Sequence, residues 1–120
     1  MAAGKKILEK SRPQVSVLDF EPAELRRRLS EKLQTHANVR AAFLHGSLAA
    51  GTAGPWSDID LIIVADTAEP FIERPRAFVE LLDLGVAVDL LVYTPAEFAE
   101  LQHSGTWFWK EFRRHHQRLL

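Results

Sequence analysis

Two aspartates separated by a single residue are the first feature of this sequence that could carry chemistry. They lie in the run Asp58-Ile59-Asp60, and residues two apart in an extended strand project to the same side. Two carboxylates aimed at one point repel each other unless a divalent cation lies between them, and hard oxygen ligands suit magnesium or manganese. The spacing therefore predicts a site for Mg²⁺ or Mn²⁺.

A third acid, Asp89, lies between Val88 and Leu90 in a later apolar segment. We expect it to need a partner, because an unpaired charge is expensive to bury, and a shared metal site would supply one. Metal ions held by acids can activate an attacking oxygen and stabilise the charge that builds on a phosphate, as phosphoryl and nucleotidyl transfer require. Asp58, Asp60 and Asp89 are therefore the candidate metal-ligating and catalytic residues.

The pair Gly46-Ser47, which ten residues separate from Asp58, is the candidate nucleotide-binding element. Glycine lets a backbone approach phosphates closely, and Ser47 offers a hydroxyl and could begin a short helix whose free amides face an anion. Taken alone, the pair is also a common strand-to-helix turn with the serine as helix cap. His45 could touch a nucleotide, although a structural histidine at a strand end is the simpler interpretation.

Regular elements must bring these residues together. Strands are predicted over residues 39–44, 58–64 and 86–93, and the second is apolar enough to be covered on both faces. Leucines at every fourth position indicate a helix from Pro22. A second helix is predicted to begin at Pro75 and to end at Gly85. Thr94 and Glu97 have the spacing of a capping box, which predicts a third helix start. A last helix is predicted over residues 106–118. This order indicates an α/β sandwich with a small sheet.

Composition sets the limits of the prediction. A chain of 120 residues has room for a single domain, which we place at residues 19–120 after a flexible segment 1–18. Without cysteine, any metal must be held by oxygen or imidazole, and a net charge of −1 argues against nucleic acid as the main ligand. The lack of a membrane-length apolar run or signal peptide favours a cytoplasmic location.

The spacing of Gly46-Ser47, Asp58-Ile59-Asp60 and Asp89 resembles that of DNA polymerase beta-like nucleotidyltransferases, in particular the minimal nucleotidyltransferases. The resemblance covers roughly residues 25–100, and the loop 46–58 is also similar to that of aminoglycoside nucleotidyltransferases. It implies a nucleotidyltransferase fold, α/β (α+β) with a small mixed sheet flanked by helices. It further implies magnesium at Asp58, Asp60 and Asp89, and phosphates near Gly46 and Ser47.

In related enzymes a nucleoside monophosphate, such as AMP from ATP, passes to a hydroxyl group while pyrophosphate leaves. The resemblance also implies a partner, because minimal members often serve as antitoxins beside a helical ribonuclease toxin of the HEPN type. Many members carry an arginine in the pattern Gly-Ser-x-Ala-Arg-Gly, where this chain has Ala50 before Gly51. The loss of that cation would weaken nucleotide binding, which leaves open a second hypothesis: a binding module that neutralises its partner without catalysis.

Aromatic and basic residues alternate near the C-terminus. Stacking on nucleic acid is one interpretation, but the spacing of Phe108 and Phe112 favours an amphipathic helix packed against the core or a partner. The aromatic and basic residues of this segment are Trp107, Phe108, Trp109, Lys110, Phe112, Arg113, Arg114 and Arg118.

A stand-alone antibiotic-modifying enzyme is a third possibility, which would require a homo-oligomer to complete a substrate pocket.

Overall fold

Four strands and four α-helices make up the described part of the chain, residues 15–120 of this computed structural model. The predicted flexible segment 1–18 falls largely outside the described residues, although Val17 within it is buried in the core. The strands are Val39–His45 (β1), Ile59–Ala65 (β2), Val88–Tyr93 (β3) and Gln117–Arg118 (β4). The helices are Pro22–Gln34 (α1), Gly46–Ala50 (α2), Pro95–Leu101 (α3) and Trp107–Arg114 (α4), with 3-10 helices at Val17–Asp19 and Phe71–Leu84.

The strands form one mixed sheet in the order β3-β2-β1-β4. β1 is antiparallel to β2 and β4, whereas β2 and β3 are parallel. The chain between β2 and β3 contains the segment Phe71–Leu84, which makes the crossover that a parallel pair requires. The predicted mixed sheet flanked by helices is confirmed.

β2 is buried on both faces, as its almost continuous apolar sequence predicted. Leu61 and Ile63 lie in a core with the leucines of α1, while Ile62 packs on the other face with Phe98 of α3 and Phe112 of α4. The face with α3 and α4 is the one that bears the candidate site.

Two helix starts follow the local rules read from the sequence. Pro22 occupies the first turn of α1, and the carboxylate of Glu21 accepts hydrogen bonds from the free amides of the first turn. At α3 the Thr94 hydroxyl accepts from the Glu97 amide at 3.2 Å, and the Thr94 amide donates to the Glu97 carboxylate at 2.9 Å. The predicted capping box is confirmed.

The helix predicted to start at Pro75 begins four residues earlier, at Phe71, and is a 3-10 helix interrupted at Phe78. A proline in a helix interior has no N–H for the regular bond to residue i−4, and its ring collides with that carbonyl. Gly85, with φ of 81°, ends the segment as predicted.

Arg74 ties this segment to the sheet and to α3. Its side chain is buried, and it donates to the carbonyls of Glu69 at 2.9 Å and Val92 at 3.0 Å and to the Glu97 carboxylate at 2.7 Å. Hydrogen bonds from the Arg74 side chain and, to a lesser extent, the Thr94 backbone lower the pKa of Glu97 from its usual 4.5.

We expect Glu97→Gln to lower the free energy of unfolding at neutral pH by about 1 kcal/mol, because the half-exposed ion pair is screened by solvent. The lowered pKa means that Glu97 stabilises the fold above pH 4.5 and that this contribution disappears as the pH falls through the folded-state pKa. Urea unfolding at pH 7 and pH 3 should therefore show a smaller acid loss in the variant. Glu100→Gln on the same helix is the control, and an equal acid loss in Glu97→Gln and the wild type would contradict the prediction.

The last predicted helix was too long. α4 ends at Arg114, His115 is extended with φ of −137°, and Gln117–Arg118 pairs with β1 opposite Leu44 and Phe43. The free edge of β1 supplies backbone partners for this segment, as shown by the Leu119 amide, which donates to the Ala42 carbonyl at 2.8 Å. Within residues 15–120, no helix has the length and apolar character to span a membrane.

Candidate functional site

Strand register places His45, Asp60 and Asp89 side by side on one face of the sheet. His45 at the end of β1 pairs with Asp60 of β2, and Asp60 pairs with Asp89 of β3. Paired residues on neighbouring strands, which lie about 5 Å apart, project to the same side. Asp58 directly precedes β2, two residues before Asp60. The tertiary structure therefore brings Asp60 and Asp89 together, whereas Asp58 does not line the cleft that they share.

Asp89 is not buried, contrary to the prediction from its sequence neighbours. Its apolar neighbours predicted a buried carboxylate, whereas the residue is exposed. β3 is one of the two edge strands of the sheet, so it has a neighbouring strand on one side only. The cost of burial does not apply to Asp89, and its place in the candidate site rests on its register with Asp60.

Gly46 has a structural reason to be glycine. Its φ of +68° lies in the left-handed region, and a Cβ added there would stand 2.1 Å from Oδ2 of Asp60. The backbone of the turn and the Asp60 carboxylate thus occupy the space that any side chain at this position would need. Gly46 makes the close approach between the turn and the acid possible.

The turn continues into α2, which begins at Gly46 with His45 in the capping position. Ser47 is therefore the second residue of the helix and not its cap, which is His45, two residues earlier. The Thr52 amide donates to the Ser47 carbonyl at 2.9 Å, and the Gly54 amide donates to the Ser57 hydroxyl at 2.8 Å. These bonds shape the loop that connects α2 to Asp58.

His45 is buried between the acids and the aromatic residues of α4. Its ring is 5.6 Å from that of Phe108 and 6.0 Å from that of Phe112, measured between centroids. Burial lowers the pKa of His45 to about 4, and the negative charge of Asp89 offsets only part of that effect. The imidazole is therefore uncharged at neutral pH.

A cleft of about 360 Å³ opens over these residues. Its lining comes from the sheet ends, from α2 with the loop after it, and from α4. Sequence reasoning missed most of the α4 contribution, because the amphipathic pattern predicted that these aromatics pack inward. The lining residues are His45, Gly46, Ser47, Ala50, Thr52, Asp60, Asp89, Trp107, Phe108, Glu111, Phe112 and His115.

The chemistry of the donor set fits a hard divalent cation, because the acids offer carboxylate oxygens, and the sequence contains no thiolate to favour a softer metal. Because Gly46 has no side chain, the Asp60 carboxylate can lie directly against the turn. Among residues 15–120, no three histidine, aspartate or glutamate side chains are drawn together closely enough to hold one ion. Asp60 and Asp89 are neighbours by register, and Asp58 lies just before β2.

Neighbouring acids beside a turn that permits close approach are typical of proteins that transfer phosphoryl or nucleotidyl groups. The sequence model described as "Polymerase beta, Nucleotidyltransferase" matches residues 27–106, more than half of the chain. The chain belongs to this family, and the resemblance inferred from its motifs is confirmed. A search of curated proteins found no significant match.

Solved structures with the same fold include a toxin-antitoxin with AMP-PNP, at 22% identity and a TM-score of 0.58, with 79% of this chain and 72% of that chain covered. The toxin-antitoxin MntA-HepT is similar at 18% identity and a TM-score of 0.51, with 80% and 69% covered. A mutant described as MntA-HpeT has 20% identity and a TM-score of 0.57, with 79% and 72% covered. At these identities the similarity demonstrates the nucleotidyltransferase fold.

Proposed function

We propose that this protein is a metal-dependent nucleotidyltransferase that transfers a nucleoside monophosphate, AMP from ATP, to a hydroxyl group on a partner protein. The observation that carries the proposal is the register of Asp60 with Asp89, with Gly46 packed directly against the Asp60 carboxylate. This arrangement supplies the acids and the phosphate-accessible backbone that nucleotidyl transfer needs.

In this proposal Asp58, Asp60 and Asp89 hold Mg²⁺ or Mn²⁺. Bound there, the cation would offset the charges of the acids and of the triphosphate and lower the pKa of the attacking hydroxyl. The backbone of Gly46 admits the phosphates, and the Ser47 hydroxyl donates to a phosphate oxygen. The acceptor oxygen bonds to the α-phosphorus as the bond to pyrophosphate breaks, and Asp89, exposed on the edge strand, takes the hydroxyl proton.

The proposed acceptor is a helical HEPN-type toxin, for which this chain would act as the antitoxin. Support comes from the toxin-antitoxin structures that share its fold, one of which was solved with AMP-PNP. A half-open cleft with an acid on an edge strand suits an acceptor hydroxyl presented by another protein.

A second candidate function is a binding module that neutralises the partner without transfer. The observation that favours it is Ala50, which lines the cleft at the position of the arginine in many minimal nucleotidyltransferases. A cation missing there leaves the developing phosphate charge less stabilised.

Incubation with Mg²⁺, ATP labelled at the α-phosphate and the proposed HEPN-type partner tests both candidates. The transferase predicts that label becomes covalently attached to the partner and that its ribonuclease activity falls in parallel. Neutralisation of the partner with no label attached would overturn the transferase and support the binding module.

Ala50→Arg tests the missing cation directly. We expect it to tighten binding of the Mg²⁺ complex of ATP about ten-fold, the order of one hydrogen bond between charged groups. Ala49→Arg adds the same charge one residue away, at a position that does not line the cleft. Isothermal titration calorimetry on both variants measures the difference, and equal affinities would mean that a cation at residue 50 does not reach the nucleotide.

A further inference from the structure

Two of the aromatic rings of α4 that line the cleft are not fully buried in the core. Trp109 and Phe112 are buried in the core against the sheet, at 5% and 4% exposure, whereas Trp107 is 75% exposed. Phe108 is partly buried and meets the His45 ring edge-on at the cleft. Both Trp107 and Phe108 line the cleft. A large apolar side chain left in solvent beside a cleft marks a surface that a ligand could cover.

The charges around the cleft determine which part of a nucleotide suits this wall. α4 contributes the Glu111 carboxylate to the lining and no lysine or arginine, so this wall offers phosphates no cation. The residues contributed by α2 and its loop, including Ser47 and Thr52, carry no negative charge. We therefore expect the phosphates of a nucleotide to bind beside α2 and its base to bind beside α4.

The basic residues of α4, which are Lys110, Arg113 and Arg114, do not line the cleft. The Arg113 guanidinium donates to the carbonyls of Gln102 at 2.6 Å and Ser104 at 2.9 Å, and it thereby anchors α4 to the loop before it. Arg114 pairs with Glu111 at 3.5 Å. This arrangement opposes a phosphate-binding role for α4 and leaves its aromatic rings as the feature available to a ligand.

We propose that Trp107 and Phe108 form the nucleobase-binding site of the cleft, called the nucleobase seat below, with the base stacked on the exposed indole of Trp107. Every base presents an aromatic face, and stacking on an aromatic side chain is a major source of affinity for bases. The family match ends at residue 106, so these rings lie just outside the matched segment. The inference rests on the proposed function, because it assigns the base of the same nucleotide.

The test compares ATP with inorganic triphosphate as ligands, both with Mg²⁺, by titration calorimetry on the full chain. We expect Trp107→Ala to weaken ATP about ten-fold, the order of loss for one stacked base, and to leave inorganic triphosphate within about two-fold. Trp107→Phe should retain most of the ATP affinity. Trp56→Ala is the matched control, because Trp56 is also exposed, at 72%, but does not line the cleft.

The possible failures are distinguishable. If the wild type binds ATP and Trp107→Ala binds it equally well, the nucleobase seat is wrong while the proposed function stands. Equal losses of ATP and triphosphate would also overturn the seat, because Trp107 would then act on phosphates or on the fold. A wild type that binds neither ligand would contradict the proposed function itself, and the nucleobase seat with it.

Discussion

Asp60→Asn is expected to reduce nucleotidyl transfer more than about a hundred-fold, since a lost metal ligand should cost more than the 10–100-fold typical of groups behind the ligands. The asparagine keeps the shape of the side chain against Gly46 and removes only its charge. Asp58→Asn should have an effect of the same order, because both carboxylates are proposed ligands. Initial rates of label transfer from α-labelled ATP at saturating Mg²⁺ measure the effect.

Asp83→Asn is the control for these two variants. Asp83 is 73% exposed and lies in the 3-10 segment Phe71–Leu84, outside the cleft. We expect this variant to transfer label at the wild-type rate. Transfer by Asp60→Asn at a rate close to that of Asp83→Asn would remove Asp60 from the catalytic site.

Gly46→Ala is the second change with a large expected effect. An added Cβ would lie 2.1 Å from Oδ2 and 2.9 Å from Cγ of Asp60, so the carboxylate must leave its position. The left-handed φ adds about 1–2 kcal/mol of strain for a residue with a side chain, and the collision adds a cost of about 1–3 kcal/mol. We expect lower stability together with a loss of transfer similar to that of Asp60→Asn.

Gly51→Ala separates the effect of backbone strain from the effect of the collision with Asp60. Gly51 also has a left-handed φ, +78°, but nothing lies within 4 Å of its Cβ position. This variant should lose about 1–2 kcal/mol of stability and keep its transfer activity. Thermal unfolding and transfer rates of the two alanine variants provide the comparison, and full activity in Gly46→Ala would show that the position of Asp60 against the turn is dispensable.

Local sequence signals predicted much of the fold. The core strands, the start of α1, the capping box of α3 and the end of the 3-10 segment at Gly85 all follow from patterns within a few residues. They were predictable because apolar periodicity, proline, glycine and capping side chains act on the backbone nearby. The motif spacing likewise identified the family.

The sequence by itself determined which residues are candidates for the site, because Asp58 and Asp60 are two residues apart at the start of an apolar segment and Gly46-Ser47 precedes them. Only the tertiary structure decided that Asp60 lies beside Asp89 and that Asp89 is exposed. The tertiary structure also shows that α4 ends at Arg114, that the chain then pairs with β1 as β4, and that Trp107 lines the cleft. Strand order and edge pairing decide these outcomes, and both depend on contacts between residues far apart in the chain.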